Sequence, residues 1–178
     1  MIKLVAKELR TIIPSKTQLK KIKRREIYFV LDDVLDTYNV GGIFRLADAI
    51  GVKKIYLCGQ TETPPNPRIK KASINTTGWV SWEYQESASK AIEKLKKELP
   101  SIQIIAVEQN EKSIPYKEIN YKLPLVLIVG NETTGISEKV LKLADFIAEI
   151  PMWGVNISLN VILSLGIVSY QAVGKTYE

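Results

Sequence analysis

Glu26-Ile27-Tyr28-Phe29-Val30-Leu31 is followed, after a polar interval, by a helical pattern from Val40 to Ile50, then by Gly51 and by Lys54-Ile55-Tyr56-Leu57. The two outer runs are short and almost continuously apolar, as strands are when a parallel sheet buries both their faces. Between them the apolar residues recur at helical spacing, and Gly51 stands where a helix ends on a left-handed residue. Residues 26–57 therefore read as a strand-helix-strand unit. The alternation continues with strands at Ile102 to Val107, Leu125 to Val129 and Phe146 to Glu149. Helical patterns cover Ala88 to Leu99, stopped by Pro100, then Ser137 to Leu143, then about Leu159 to Val173. This rhythm predicts an α/β fold with a mostly parallel sheet flanked by helices. No internal repeat, low-complexity segment or linker interrupts it.

Composition narrows the chemistry. The 178 residues contain no histidine, which removes the usual general base, the usual zinc ligand and every Ser-His or Cys-His nucleophile pair. Cys58 is the single cysteine, so neither an internal disulfide nor a cysteine-rich metal site can form, and no metal is expected. Lys3, Lys7, Glu8 and Arg10 interrupt the N-terminal apolar residues, and the apolar stretches Leu123 to Val129 and Val161 to Val173 are short of a membrane span. A soluble protein of the reducing cytoplasm is the expectation.

Charge is uneven. Lys and Arg number 25 against 19 Asp and Glu, a formal net charge of +6. Residues 1–25 hold nine of the basic residues, among them Lys20, Lys21, Lys23, Arg24 and Arg25, with Glu8 as their only acid. We therefore divide the chain into a basic arm, 1–25, and a domain, 26–178. Such an arm is a counter-charge for phosphates or the solvated face of an amphipathic element. A second basic cluster, Arg68, Lys70 and Lys71, follows the turn-rich segment Thr63-Pro64-Pro65-Asn66-Pro67.

Ligands of open α/β sheets bind beyond the carboxyl ends of the strands, so the loops there carry the chemistry. Three are polar and glycine-bearing: Asp36-Thr37-Tyr38-Asn39-Val40-Gly41-Gly42-Ile43-Phe44-Arg45; Gly130-Asn131-Glu132-Thr133-Thr134-Gly135; and Ile150-Pro151-Met152 through Ser158-Leu159-Asn160. Gly41-Gly42 lacks the spacing and third glycine of a dinucleotide fingerprint, and Gly174-Lys175-Thr176 lacks the upstream glycine of a phosphate loop, whose place Ser169 holds. If Asn39 caps the helix it opens, Arg45 lies in the second turn as a phosphate fork or a surface arginine. Glu132 reads as a chemical group or as an acid favoured before the helix of Ser137 to Leu143. Ser158 reads as an N-cap, and with no base beside it suits binding or orienting rather than attack.

Together the three loops resemble the motifs of the SpoU/TrmH branch of the SPOUT RNA methyltransferases, whose members carry Asn…Gly…Arg, Gly-x-Glu-x-x-Gly and Ile-Pro-Met…Ser-Leu-Asn-Val in this order. The likeness runs from about residue 26 to 173 and extends to Ala47-Asp48-Ala49 and Gly51-Val52. It implies a C-terminal segment threaded into a deep trefoil knot, which folding rules alone would not suggest. It also implies a homodimer with the site near the subunit interface, and S-adenosylmethionine as cofactor. On this mapping Val107, Glu108, Gly130, Asn131, Gly135, Ile150, Met152, Ser158 and Leu159 form the cofactor pocket. Arg45, Ser158 and Asn160 form the catalytic set, supported by Asn39 and Glu132.

The reaction so implied is methyl transfer to a ribose 2′-hydroxyl of tRNA or rRNA. A guanidinium stays protonated at ordinary pH, so Arg45 is read as an anchor for the RNA phosphate and a stabiliser of developing charge. RNA capture falls to Lys20, Lys21, Lys23, Arg24, Arg25, Arg45, Arg68, Lys70 and Lys71. Relatives place a Lys-Thr-Ala-Leu-Gly-Ala-like segment where this chain has Lys71-Ala72-Ser73-Ile74-Asn75-Thr76-Thr77, a departure that bears on substrate recognition. Two other functions fit the same motifs: an RNA-binding protein that keeps the cofactor fold without turnover, and a base methyltransferase.

Overall fold

The computed structural model describes Glu8 and residues 14–176. Seven parallel strands, β1 (Arg25–Asp32), β2 (Val52–Cys58), β3 (Trp82–Gln85), β4 (Gln103–Val107), β5 (Ile114–Pro115), β6 (Leu125–Gly130) and β7 (Phe146–Glu149), form one sheet in the order β3-β2-β1-β6-β4-β7-β5. The helices are α1 (Lys16–Lys20), α2 (Thr37–Ile50), α3 (Pro67–Ser73), α4 (Ala88–Glu98), α5 (Glu138–Leu141) and α6 (Val161–Lys175).

Strand pleating separates two cores. Ile27, Phe29 and Leu31 of β1 and Leu125, Leu127 and Val129 of β6 face α2, α3 and α6. Their neighbours Tyr28, Val30, Val126 and Ile128 face α4 and α5. Every residue of β6 is buried, which accounts for its unbroken apolar sequence. Helix α2 starts on Asp36, whose side chain accepts from the Tyr38 N–H, and ends on Gly51 at φ 72°, whose N–H caps the carbonyls of Ala47 and Asp48.

Several sequence expectations shift. Asn39 is not the cap of α2: Asp36 is, and Asn39 lies inside the first turn. Asn160 rather than Ser158 caps α6, so that helix begins at Val161. The Ser137 to Leu143 pattern contracts to Glu138–Leu141. The turn-rich segment leads into α3, where Asn66 accepts from the Arg68 and Ile69 N–H groups and Pro67 occupies the first turn. Strands β3 and β5 are short, partly exposed edge pieces without an apolar run to announce them.

The basic arm joins the body through two arginines. Arg24 donates to the Trp79 carbonyl at 3.3 Å and lies 3.5 Å from Asp48, while Arg25 donates to the Ile50 carbonyl at the end of α2. A cation there satisfies an orphan carbonyl and opposes the helix dipole. Lys20, Lys21 and Lys23 are exposed. Lys3, Lys7 and Arg10 lie outside the described residues. Among the described residues no helix is long and apolar enough to cross a membrane, and no three His, Cys, Asp or Glu side chains gather to hold a metal.

Candidate active site

A cavity of about 560 Å³ opens at the carboxyl ends of β4, β6 and β7. Its size is that of a small-ligand pocket. The end of β4 lends it Val107 and Glu108, the loop after β6 lends Gly130, Asn131 and Gly135, and the segment after β7 lends Ile150, Met152, Ser158 and Leu159. All the residues assigned above to the cofactor pocket thus line one space. Glu132 and Asn160 share the wall; Asn39 and Arg45 do not line it. Among the described residues no lysine or arginine lines it, and Glu108 and Glu132 are the charged groups that do.

The loop after β6 is fixed from both sides. Asn131 and Gly135 exchange backbone hydrogen bonds at 3.1 and 2.9 Å, and the Asn131 side-chain Oδ1 accepts from the N–H groups of Thr133 and Thr134. Gly135 sits at φ 71°, against the Glu108 carboxylate, and a Cβ on Gly130 would strike the Gly135 backbone. These glycines therefore permit a close approach that no other residue allows. Glu108, the residue after β4, accepts from the Ile136 N–H at 3.0 Å. Asp32, buried at the end of β1, accepts from the Ser137 N–H and hydroxyl at 3.0 and 2.7 Å. Sequence reasoning missed Asp32 and Ser137; an acid closing an apolar strand was the available signal.

One hydrogen-bonded chain joins the three motifs. The Ile162 N–H donates to Asn160 Oδ1 at 2.9 Å, Asn160 Nδ2 donates to Asn39 Oδ1 at 3.0 Å, and Asn39 Nδ2 donates to Glu132 Oε1 at 2.9 Å. The Glu132 carboxylate also accepts from the N–H groups of Leu35 and Asp36, each at 3.1 Å. Glu132 is an N-terminal acid, as one reading had it, but of α2 rather than of the helix that follows it in sequence. Partial burial works to raise its pKa, yet the Asn39 and backbone donors outweigh that and hold the carboxyl below its ordinary range.

Arg45 lies on the exposed side of α2, two turns beyond Tyr38, and has no hydrogen bond or ion pair among the described residues. Ser158 is likewise exposed and unbonded on the cavity wall. Arg68, Lys70 and Lys71 lie exposed on α3 and do not line the cavity. Gly41 and Gly42 let α3 and α6 close on either side of α2: Cβ atoms there would meet Ala72 and Ile162 respectively.

The family model described as the SpoU rRNA methylase family matches residues 26–170. The tRNA (guanosine(18)-2'-O)-methyltransferase of Aquifex aeolicus is 32% identical over 160 residues, covering 88% of this chain and 72% of that protein. The crystal structure of the A. aeolicus TrmH/SpoU tRNA modifying enzyme superposes with a TM-score of 0.79 at 27% identity, covering 97% of this chain and 82% of that one. An AdoMet-bound rRNA methyltransferase from Sinorhizobium meliloti gives 0.76 at 29% identity, over 92% and 59% of the two chains. On this fold and around this cavity, these likenesses define an RNA methyltransferase that uses S-adenosylmethionine. Within that class the chain belongs to the SpoU rRNA methylase family.

The cavity suits that cofactor. Ile150, Met152 and Leu159 offer apolar contact for a purine, the glycine-bearing loop offers backbone groups for its edge, and the two carboxylates suit a cationic sulfonium.

Proposed function

We propose that the protein methylates a ribose 2′-hydroxyl of RNA, with tRNA as its substrate, and that its catalytic group comprises Arg45, Ser158 and Asn160 with Asn39 and Glu132 behind them. The observation that carries this reading is the chain Asn160–Asn39–Glu132, which ties the three motifs together beside the cavity. The tRNA preference follows the A. aeolicus relative.

S-adenosylmethionine supplies an activated methyl group, so the protein's work is alignment and charge management. Gly130, Asn131, Gly135, Ile150, Met152 and Leu159 would hold the donor, with Glu108 fixing the loop. Ser158, free of internal partners, hydrogen-bonds the attacking hydroxyl and fixes its direction. Asn160 holds the segment bearing Ser158 against α2, and Glu132 in turn fixes Asn39. Arg45, also free, grips the adjacent phosphate with its planar fork. The exposed Lys20, Lys21 and Lys23 add nonspecific attraction for the polynucleotide.

Two further parts of the reading concern the chain path and assembly. The segment 150–160 and α6 pass through the knot that the resemblance implies, which brings the third motif against the first two. Two copies pair through the outer face of α6, where Leu163, Ile167 and Tyr170 are exposed; Trp153, Val155 and Ile157 of the preceding segment are exposed too.

The test is methyl transfer from labelled S-adenosylmethionine to tRNA, with the labelled nucleotide mapped. A 2′-O-methylated nucleotide is expected; label on a base would reject the ribose assignment, and no label with any RNA would reject the enzyme. Arg45→Lys keeps the charge and loses the fork. Since Arg45 does not line the cavity, turnover should fall at least tenfold, about 1.4 kcal/mol of transition-state stabilisation, with donor affinity unchanged.

A further inference from the structure

A second cavity, of about 390 Å³, lies on α3 and the corner after it, lined by Pro67, Lys70, Lys71, Ile74 and Asn75. Helix α3 is short but firmly held: Ile69 and Ser73 are fully buried, and Asn66 caps its first turn. Its inner side lies on Gly41, where an added Cβ would come within 2.5 Å of the Ala72 Cβ and 2.7 Å of the Ile69 carbonyl oxygen. Residues 69, 72 and 73 thus face α2, which leaves 70 and 71 on the outside. The Lys70 and Lys71 side chains are exposed and have no hydrogen bond or ion pair among the described residues.

The corner after α3 is unusual. Ile74 at φ 50° and Asn75 at φ 65° are consecutive left-handed residues, and neither is glycine. A β-branched residue in this region is an outlier. Such a conformation persists only where the surroundings impose it, and an observed outlier of this kind points toward function. Here it makes Ile74 and Asn75 line the cavity instead of continuing the helix. The result is a concavity with two aliphatic walls, Pro67 and Ile74, a carboxamide, and two unpaired cations. The apolar walls and the cations match a nucleotide: apolar surface for a base face and ammonium groups for phosphate.

Helix α2 lies between this cavity and the first, with α3 on Gly41 and α6 on Gly42, and it carries the free Arg45. We propose that the second cavity is a nucleotide subsite, which holds an RNA nucleotide flanking the methylated one, its phosphate on Lys70 and Lys71 and its base against Pro67 and Ile74. This deepens the proposed function and rests on its RNA substrate. Arg45 then grips the strand between the two cavities. Arg68 does not line the subsite, so of the α3 cations only Lys70 and Lys71 act there.

The test measures equilibrium binding of a tRNA transcript to the full chain as a function of salt, and needs no turnover. It therefore reads the subsite independently of whether methyl transfer is observed. Replacing both lysines, as Lys70→Gln with Lys71→Gln, should lower the magnitude of the slope of log K against log salt by about 0.7, the value for one single-strand phosphate, with affinity for S-adenosylmethionine unchanged. Ile74→Gly should weaken RNA binding several-fold without lowering the melting temperature, because glycine accepts the left-handed conformation freely. An unchanged slope overturns the phosphate contact, and unchanged RNA affinity in Ile74→Gly overturns the base contact.

Discussion

Asn160 donates its side-chain N–H to the Asn39 side-chain Oδ1 at 3.0 Å, a bond between residues 121 positions apart. The direction is fixed by chemistry. Asn160 must turn its oxygen toward the Ile162 N–H, which leaves its NH₂ for Asn39, and Asn39 must turn its own NH₂ toward Glu132, since a carboxylate only accepts. Each amide has one workable orientation, so the first turns of α2 and α6 are locked together by the Asn160–Asn39 bond, with Glu132 fixing Asn39 from behind.

Removing the middle link should therefore cost more than one bond. Asn39 is buried, and Asn39→Ala leaves the Asn160 NH₂ and one Glu132 oxygen short of partners. We expect a loss of about 1–3 kcal/mol in urea denaturation, together with weaker donor binding. Asn39→Asp should be worse at neutral pH, because it sets a second carboxylate beside Glu132, and should improve on acidification as the pair takes up a proton. Equal stability of the two variants at pH 7 would contradict the network.

Glu132 gives the same network a pH signature. Its folded pKa lies below the ordinary carboxylate value, so the folded state holds the ionised form more tightly than the unfolded chain does. The resulting stability is fully present above about pH 4.3, the ordinary glutamate value, and is lost as pH falls through the lower folded pKa. Wild type should exceed Glu132→Gln in stability at pH 7, and that difference should shrink at pH 3. A difference that stays constant between the two would show that the carboxylate charge plays no part.

The paired glycines of α2 separate by what they face. In a helix interior Gly→Ala gains about 1 kcal/mol from propensity. At Gly41 the new methyl meets the backbone of α3, including the Ile69 carbonyl oxygen at 2.7 Å, and overpacking of this sort costs about 1–3 kcal/mol. At Gly42 it meets the flexible tip of Ile162, which can turn aside. Thermal unfolding should find Gly41→Ala destabilised and Gly42→Ala close to wild type. The reverse order would mean that α3 is not held where its contacts with Gly41 put it.

These contacts mark how far sequence could be read. The interior strands were legible because burial on both faces leaves an apolar run, as in Leu125 to Val129, and α2 was legible from its period and from Gly51. Strand β3 was not, since Trp82-Glu83-Tyr84-Gln85 forms an edge and half of its surface stays wet. Within the site, the motif glycines and acids could be picked out, but not their partners. Nothing local to Glu132 says that it serves a helix starting 95 positions earlier, at Thr37, because that pairing depends on β1 and β6 lying side by side. The same holds for Asp32 and Ser137. Arg24 and Arg25 were read from their charge as RNA-capture residues; their engagement with Asp48 and the Ile50 carbonyl required the fold.

The outer face of α6 supplies the remaining prediction. Leu165, Val168 and Ala172 point into the core, and the positions half a turn away, Leu163, Ile167 and Tyr170, stay exposed. A helix that is apolar on both sides needs a second surface to cover it. Trp153, which is 92% exposed, Val155 and Ile157 add exposed apolar side chains in the segment that leads into α6, and Ile157 lines the cavity. A twofold-symmetric pairing covers both copies of such a face with one contact. The wild-type chain should therefore sediment as a dimer. Ile167→Asp should sediment as a monomer, since burying an unpaired carboxylate at the centre of the contact costs several kcal/mol. Because the face borders the cavity segment, methyl transfer should fall in the variant along with dimerisation. A fully active monomer would show that each chain's site is complete alone, and a dimer that survives the charge would place the contact elsewhere on the surface.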